Sequence, residues 1–403
     1  MLDAGPSDFS KAYQPMTPGD NDPFELEAMI ALRHDLHAHP ELGFEEVRTS
    51  GIVAQWLEEA GIEVHRGLGK TGVVGTLRAG NGERSIALRA DMDALAMPEL
   101  GDVDYRSTTV NTMHACGHDG HTVMLLAAAR HLARTRQFSG TVHFVFQPAE
   151  EGRGGAKAML ADGFLELFPA NAVYGLHNMP GLATDEMAVV TGPQLASSDS
   201  WDVTFHGVGT HGAKPHLGRD AMTAAAHFLT AIHTVVARVV DPLQPAVVSA
   251  CAISGGDFRA LNVIPDDVRI GGTARAYAAE VRDQLELEIG TLAQGVAAMF
   301  GIRVSYNFNR RIAPVINEAR ATAAALSAAR AVTRRPVVTD FPPSTAGDDF
   351  AEFCARVPGC YVWLGNGPAI DGALHHNSRY DFNDDAIATG ARFWTALVEQ
   401  ELR

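Results

Sequence analysis

Strands and helices are predicted to alternate along the two outer parts of this chain, and a block with another element order separates those parts. Alternating apolar runs of strand and helix length are typical of an α/β fold with a mostly parallel central sheet. From about residue 194 the predicted order becomes β-α-β-β-α-β, which is that of a ferredoxin-like unit. The α/β pattern resumes near residue 314. We therefore expect a discontinuous larger domain, residues 1–193 and 314–403, with a smaller domain, residues 194–313, inserted into it.

Apolar periodicity predicts helices over about residues 24–38, 46–60, 121–134 and 221–240, among others. Pro40 and Gly61 mark the ends of the first two. Residues 1–23 are rich in Pro, Gly, Asp and Ser, a composition that predicts a loose N-terminal arm. The sequence has no internal repeat and no low-complexity block, so we expect ordinary globular domains.

Charge and apolar runs restrict the partners and the location. Lys and Arg total 32 against 48 Asp and Glu, which gives a formal net charge of −16. So acidic a chain repels nucleic acid and anionic membranes, and we expect neither as a partner. The polar first residues lack the apolar segment of a signal peptide, and no apolar run approaches the ~20 residues of a membrane span. We therefore expect a cytoplasmic protein. The four cysteines form no Cys-x-x-Cys pair, which excludes a zinc ribbon.

Potential metal ligands cluster where strands are predicted to end. They occupy four short segments, residues 113–121, 147–152, 175–178 and 375–377. In open α/β sheets, ligands bind beyond the carboxyl ends of the strands. A thiolate, imidazoles and a carboxylate together suit a divalent transition metal such as Zn, Mn, Ni or Co. The combination predicts a metal site, although no single segment does so alone.

The first three segments also have an interpretation without a metal. The histidines of the first segment have the i, i+4, i+7 spacing of one polar helix stripe, although two glycines between them disfavour a continuous helix. Asp119 could cap the helix that follows. His177, after an apolar strand, could be an ordinary core residue, and the glutamate pair of the second segment could be a solvated helix start.

The adjacent glutamates allow two different roles. Neighbouring side chains of an extended chain point in opposite directions. One of Glu150 and Glu151 can therefore bind a metal while the other faces the attacking water and acts as a general base. Asp91 and Asp93 occupy alternate positions at the end of a predicted strand, where they can accept hydrogen bonds from ligand histidines. The alternative is that these aspartates are ordinary turn residues.

Nine segments, in order between about residues 28 and 403, together resemble one protein family. They are LRHDLHAHPELGFEE, ALRADMDALAMPE, MHACGHDGHT, FQPAEEGRGGAKAML, GLHN, GTHGAKPH, NVIPD, GTARAY and HHNSRYDFND. The sequence resembles the M20 metallopeptidases, specifically the M20D amidohydrolases, which include hippurate hydrolases, N-acyl-amino-acid deacylases and auxin-conjugate hydrolases. Agreement in nine separate segments is far more specific than agreement in any one motif.

The resemblance implies two divalent metal ions per chain, either Zn, Mn, Ni or Co. The implied metal ligands are Cys116, His118, Glu151, His177 and His376. Among them, Cys116 matches a thiolate shared by the two metals, and Glu150 matches the general base. His376 is identified by counting back from Tyr380. His375 stays open as the alternative because the two histidines are adjacent.

The resemblance also implies that the larger domain has a mixed sheet with helices on both faces, and that the inserted domain is a lid and dimerisation domain. His211 matches a residue that reaches the substrate carbonyl from a partner subunit, which implies a homodimer or, as the alternative, a tetramer. Asn262 and Arg275 match residues that hold the substrate's carboxylate or carbonyl, and the planar fork of arginine suits a carboxylate. Two departures from the family pattern are Gly-Asp-Asp-Phe instead of Ser-Glu-Asp-Phe at residues 347–350, and Ser378 instead of Pro.

The implied activity is hydrolysis of the amide bond of an N-acyl amino acid, of the hippurate or N-acetyl-amino-acid type. The expected mechanism uses a metal-activated water and Glu150, with no covalent enzyme intermediate. A metallo-dipeptidase or carboxypeptidase on the same scaffold is the nearest alternative, because its substrates also present an amide next to a carboxylate. A metal-binding protein without turnover is a further alternative. Glu150 argues against it, because a storage site has no use for an unliganded base.

Overall fold

The structure, a computed structural model, describes residues 22–369 and 372–403, so the predicted N-terminal arm lies outside the described residues except for its last two positions. The strands are β1 Glu63–Leu68, β2 Gly72–Ala79, β3 Ser85–Asp91, β4 Gly140–Gln147, β5 Ala172–Met179, β6 Met187–Ala188, β7 Gly192–Leu195, β8 Ser198–His206, β9 Thr210–His211, β10 Ala246–Ser254, β11 Val263–Ile264, β12 Asp267–Ala276, β13 Arg303–Ile312, β14 Val315–Asn317 and β15 Gly359–Gly365. The helices are α1 Leu26–Ala38, α2 Val47–Glu59, α3 His118–Thr135, α4 Gly155–Ala161, α5 Phe164–Leu167, α6 Ala221–Ala231, α7 Ala279–Phe300, α8 Ala319–Val332, α9 Ala351–Cys354 and α10 Asp385–Glu401.

Seven strands form the main sheet, in the order β1-β2-β4-β3-β5-β15-β6. The four central strands, β4, β3, β5 and β15, run parallel, and antiparallel strands complete both edges. Strand β1 at one edge had no predicted counterpart, because most of its side chains are exposed and carry no apolar pattern. The predicted α/β class with a mixed main sheet is confirmed.

Hydrophobic layers cover both faces of this sheet. Side chains alternate along each strand, so Val362 and Leu364 of β15 face one core while Tyr361 and Trp363 face the other. Helices α1, α2, α3, α8 and α10 close the first core, and α4, α5 and α9 close the second. Helices therefore lie on both faces of the sheet, as predicted.

The parallel strands bring their carboxyl ends to one edge of the sheet. Strand β3 ends at Asp91, β4 at Gln147, β5 at Met179 and β15 at Gly365, and these strands are direct neighbours. The segments that follow them therefore start side by side. This edge gathers the second and third of the predicted ligand segments in one place.

A second sheet, with four antiparallel strands, lies between Ser198 and Ile312 in the order β10-β12-β8-β13. Helices α6 and α7 pack against one face, and alternate residues of β8 such as Val203 and Phe205 are buried beneath them. The element order is the predicted β-α-β-β-α-β. Strands β7 and β14, which precede and follow this unit, pair with each other. The exact domain limits and the role as a lid stay predictions.

One helix of this unit differs from its prediction. The helix expected over residues 221–240 ends at Ala231, and Val235–Val239 forms a π turn instead. Residues 234–236 are all β-branched, and such side chains crowd the preceding turn of an α-helix. None of the helices in the described part of the chain has the length and apolarity needed to span a bilayer.

A buried arginine joins three segments of the larger unit. Arg33 of α1 is completely buried, and its Nη1 lies 3.2 Å from Asp119 of α3 and 3.1 Å from Asp381. Its Nε lies 2.5 Å from Asp384, just before α10. Because Asp119 directly follows His118, this network also fixes the first turn of α3 beside the predicted ligands.

We expect Arg33→Met to reduce the free energy of unfolding by about 3–5 kcal/mol, because it removes the buried cation that Asp119, Asp381 and Asp384 share and leaves His37 as the remaining partner of Asp119. The control is Arg48→Met, which removes an exposed ion pair with Asp35 and should cost less than about 1 kcal/mol. Urea unfolding followed by tryptophan fluorescence measures both variants. Equal losses for the two arginines would contradict the structural role of the buried network.

Candidate metal centre

The first ligand segment turns sharply into α3. The helix begins at His118, three residues earlier than predicted, and Gly117 before it has a left-handed backbone with φ 90°. A Cβ at Gly117 would lie 2.4 Å from the side-chain nitrogen of Asn178 and 2.6 Å from the hydroxyl of Tyr380. Only glycine fits this conformation and this space. The glycine therefore starts the helix rather than breaking it, and brings Cys116 close to Asn178.

Two groups of potential ligands meet at Cys116. In the first group, Cys116 lies with His118 and His177. In the second, it lies with Glu151 and His376, and the donor atoms of each group are within 4.8 Å of one another. Cys116 Sγ is 3.4 Å from His177 Nε2, and His376 Nε2 is 3.1 Å from Glu151 Oε1. The structure thus brings all five predicted ligands together.

The imidazole rings are oriented to receive a cation. His118 Nδ1 donates to the backbone oxygen of Asp93 at 2.8 Å, and His177 Nδ1 donates to that of Asn178 at 2.8 Å. The Nε2 lone pair of each ring is therefore free for a metal. His118 Nε2 is buried and has no hydrogen-bond partner among the described residues. An orphaned imidazole nitrogen beside a thiol and a carboxylate fits a divalent metal ion.

The protonation tendencies of two predicted ligands differ, because His177 favours its ligating form and Cys116 does not. Burial, and then the charge of Glu151, raise the pKa of Cys116, so its thiol needs a nearby cation to ionise at neutral pH. Burial, together with His121 and His375, lowers the pKa of His177 well below its ordinary value. A metal ligand must be a thiolate or a neutral imidazole, and binding releases the thiol proton.

The two adjacent glutamates share one neighbour and differ in the others. Both carboxylates lie within 4.8 Å of a ring nitrogen of His118, but only Glu151 is grouped with Cys116 and only Glu150 with Asp348 and Asp349. Glu150 is buried, and burial followed by the charge of Asp348 raises its pKa well above the ordinary value. A buried carboxylate with a raised pKa beside the ligand cluster is suited to take up a proton.

The structure distinguishes the two adjacent histidines at the fourth segment. His376 contacts Glu151, and its backbone N–H donates to the carbonyl of Ala115 at 2.8 Å. The ring of His375 lies 4.9 Å from that of His177, and its Nε2 lies 3.0 Å from Oδ1 of Asn178, so it belongs to neither group that contains Cys116. We therefore favour His376 as the ligand, while His375 lines the adjoining cavity.

The two aspartates after β3 hold different partners. Asp93 contacts His118 Nδ1 with Oδ1 at 3.3 Å and accepts the Glu151 backbone N–H on Oδ2 at 2.9 Å. Asp91 Oδ1 lies 2.6 Å from His121 Nδ1, while its Oδ2 is 3.7 Å from His118 Nε2. Asp93 thus orients one predicted ligand and the backbone of another, whereas Asp91 chiefly holds His121, which had no predicted role.

Asn178 links several parts of the site, a role that the sequence analysis missed. Its Nδ2 donates to the Cys116 carbonyl at 2.6 Å, and its backbone N–H donates to His121 Nε2 at 3.0 Å. Its Oδ1 accepts the Tyr380 hydroxyl at 2.7 Å. The available signal was its position directly after His177 at the end of a strand.

Arg89 was missed as well. It is completely buried in β3, where Nη1 lies 2.6 Å from Asp91, Nη2 2.9 Å from Asp348 and Nε 2.9 Å from the Gln147 side chain. A charged residue inside an otherwise apolar central strand was the signal, since a buried arginine requires carboxylate partners.

A cavity of about 300 Å³ opens beside the ligand cluster. Its walls include the apolar side chains of Met179, Leu195, Tyr361 and Trp363. Strand pairing sets His177 of β5 opposite Trp363 of β15, and the alternation of side chains puts Met179 and Tyr361 on the same face of the sheet. The cavity therefore offers an apolar surface directly next to the candidate metal ligands.

The three predicted residues of the inserted unit lie away from this cavity. His211 is exposed on β9, and Asn262 is exposed just before β11, which pairs with β9. Arg275 lies on β12, where its Nη1 contacts the Thr273 hydroxyl. None of the three lines the cavity in the described ranges 22–369 and 372–403. Their predicted contacts with substrate are not assembled within one chain.

Comparisons with known proteins show which proteins the chain is similar to. Residues 87–400 match the peptidase family M20/M25/M40. The chain is 41% identical over 374 residues to a hippurate hydrolase of Campylobacter jejuni, covering 92% of this chain and 96% of that protein. It is 36% identical to an N-acetyl-L-cysteine deacetylase of Bacillus subtilis, with 91% and 86% covered. A solved structure from Bacillus subtilis, described as a dinuclear metal-binding peptidase of the M20 family, has 31% identity and a TM-score of 0.82 over 95% of this chain and 99% of that one.

We expect Cys116→Ala to lose at least one divalent metal per chain, because Cys116 is common to both ligand groups. Elemental analysis after metal loading and dialysis measures the stoichiometry. The matched control is Cys360→Ala, which removes another fully buried thiol, one outside the cavity lining, and should leave the metal content unchanged. Unchanged stoichiometry in Cys116→Ala would show that Cys116 is an ordinary buried thiol.

Proposed function

Because the chain belongs to the peptidase family M20/M25/M40, we propose that it is a dinuclear amidohydrolase that cleaves the amide bond of N-acyl amino acids. Family membership and its hydrolase relatives make the protein a metal-dependent amide hydrolase. The observation that carries the finer proposal is that Cys116 is shared by two ligand groups, beside the buried carboxylate of Glu150, which belongs to neither of them. The products would be a carboxylic acid and an amino acid.

The donor atoms suit two cations. One would be held by Cys116, His118 and His177, and the other by Cys116, Glu151 and His376. Such ions, Zn, Mn, Ni or Co, supply Lewis-acid polarisation of the amide carbonyl and a water of lowered pKa.

Glu150 moves the proton in this reaction. Its carboxylate takes a proton from the attacking water and delivers it to the amide nitrogen as the C–N bond breaks. The acyl carbon thereby gains a hydroxyl and the nitrogen gains a hydrogen, so one water is consumed for each amide cleaved. The buried position of Glu150 limits exchange of that proton with bulk water.

The cavity beside the cluster supports the choice of substrate class. Met179, Leu195 and Trp363 give it apolar walls that suit an acyl group such as benzoyl. The relatives named hippurate hydrolase and N-acetyl-L-cysteine deacetylase are named for N-acyl amino acids. A dipeptide would instead place a charged amine near these walls, at a cost in desolvation.

We expect Glu150→Gln to keep its metal and its fold but to lose turnover by roughly 10²–10⁴, because the amide side chain cannot carry the proton. Glu151→Gln should instead weaken metal binding. The assay compares N-acetyl amino acids, N-benzoyl amino acids and dipeptides, with metal content measured on the same samples. Glu151→Gln is thus the matched control for its neighbour.

Three results would contradict this assignment. If the two variants exchange phenotypes, the register of the glutamate pair is wrong by one residue. If the wild-type enzyme cleaves dipeptides and no N-acyl amino acid, the alternative dipeptidase or carboxypeptidase activity replaces the proposed one. If the metal-loaded protein cleaves none of these substrates, the result favours the alternative of a metal-binding protein without turnover.

We also propose that residues 194–313 form a lid and dimerisation domain, and that His211 acts in the site of a partner chain. Its exposure on β9, outside the cavity, supports this role. Strand β10 is an edge strand of its sheet, and such an edge can pair with a second copy about a two-fold axis. Exposed apolar side chains of this unit include Leu243, Val247, Ile253, Phe258, Leu261 and Val263. A second chain would cover such a surface.

We expect two inactive variants, His211→Ala and Glu150→Gln, to restore activity when mixed under subunit exchange. A mixed dimer would contain one complete site, with Glu150 from one chain and His211 from the other, and one doubly defective site. Amide hydrolysis after mixing is the measurement, and each variant mixed with itself is the control. No recovery in confirmed mixed dimers would mean that His211 serves its own chain or no site at all.

A further inference from the structure

A buried carboxylate outside the ligand cluster has no part in the reaction described above. Glu46 is completely buried just before α2. Its Oε1 accepts the backbone N–H of Ala149 at 2.8 Å, and its Oε2 accepts the Thr71 hydroxyl at 2.6 Å. Both partners are neutral, and burial raises the pKa of Glu46 to about 6. Burial without a cationic partner is unfavourable for a carboxylate, which indicates that Glu46 has a role other than packing.

That role concerns the backbone that Glu46 holds. Ala149 has a left-handed conformation with φ 53°, which is unfavourable for a residue with a Cβ. Such a conformation persists only where the surrounding structure enforces it, and it recurs at functional sites. Ala149 directly precedes Glu150, so its φ and ψ set the direction in which the glutamate pair leaves β4.

Carboxylates accept the backbone N–H groups of the two residues that flank Glu150. Glu46 accepts the N–H of Ala149, and Asp93 accepts the N–H of Glu151 at 2.9 Å. The contact between the two segments is close, because a Cβ at Gly43 would lie 2.9 Å from Cα of Ala149. Between these anchors both glutamates reach His118, while only Glu150 also reaches Asp348 and Asp349 and only Glu151 also reaches Cys116.

We propose that Glu46 is a positioning residue, whose carboxylate holds the Ala149 N–H so that Glu150 and Glu151 keep their different places beside His118. The inference rests on the proposed function for the roles of the two glutamates. It assigns a task to Glu46 at the end of the segment LRHDLHAHPELGFEE, which lies far in sequence from the ligand segments.

Three variants distinguish the effect of the hydrogen bond between Glu46 and Ala149 from the effects of the charge and the volume of the Glu46 side chain. Glu46→Leu removes the acceptor for the Ala149 N–H at similar volume. Glu46→Gln keeps an acceptor oxygen and can donate to Thr71 instead. Thr71→Val removes the second hydrogen bond of Glu46 and leaves the bond to Ala149 intact. If Glu46→Leu does not fold, Glu46→Asp replaces it, because it withdraws the carboxylate by one methylene.

The first measurement is hydrogen exchange of the peptide that spans residues 147–155, in metal-free protein without substrate. We expect faster exchange in Glu46→Leu and native protection in Glu46→Gln and Thr71→Val, because only the first removes the anchor of Ala149. Native protection of this peptide in Glu46→Leu would overturn the proposal. So would equal loss in Glu46→Gln, since the charge and not the acceptor would then be responsible.

The second measurement is steady-state hydrolysis of an N-acyl amino acid at saturating metal. Glu46→Leu should lower kcat by about 10–100-fold, as removal of outer supports of a metal site does, with KM unchanged because the cavity walls are intact. Glu46→Gln should restore the native kcat. A change confined to KM would contradict a role at the glutamate pair. If even the wild-type protein cleaves no N-acyl amino acid, the proposed function fails, while hydrogen exchange still decides the role of Glu46.

Discussion

The buried guanidinium of Arg89 compensates the negative charge of the carboxylates that are buried next to the candidate site, at the carboxyl ends of the central strands. It lies inside β3, and its guanidinium binds Asp91 at the end of its own strand, Gln147 at the end of β4, and Asp348 just before α9. A buried guanidinium is tolerated only when its charge is compensated, and its planar fork can hold several groups at once. The three segments therefore cannot shift independently of one another.

Two series of hydrogen bonds lead from Arg89, one to the ligand cluster and the other to the cavity. In one, Asp91 binds His121, which accepts the backbone N–H of Asn178, and the Asn178 side chain binds the Cys116 carbonyl. Burial would raise the pKa of Asp91, but the charge of Arg89 holds it well below its ordinary value. In the other series, Asp348 accepts a hydrogen bond at 2.8 Å from the hydroxyl of Tyr361, whose side chain lines the cavity. Ligand cluster and substrate cavity thus share one electrostatic support.

The sequence predicts those features that each segment determines by itself. Apolar periodicity identifies the buried central strands and helices, and residues just past strand ends identify the ligand segments. Strand β1 and the end of α6 escape this reasoning, because exposed edges and β-branched runs carry no clear period. Arg89 and Asp348 are 259 residues apart, so their pairing depends on which loops the fold brings together. The sequence around either residue does not indicate this pairing.

Backbone conformation shows the same dependence on distant contacts. Three residues at or next to candidate functional side chains have a left-handed backbone. They are Gly117, Ala149 and His376, with φ of 90°, 53° and 62°. Each is held from elsewhere in the chain, by packing of Asn178, by the carboxylate of Glu46, and by the carbonyl of Ala115. Local propensity opposes at least the two that are not glycine. These turns are therefore stabilised by contacts that exist only in the folded chain, which makes the geometry of the site a product of tertiary structure and not of the motifs alone.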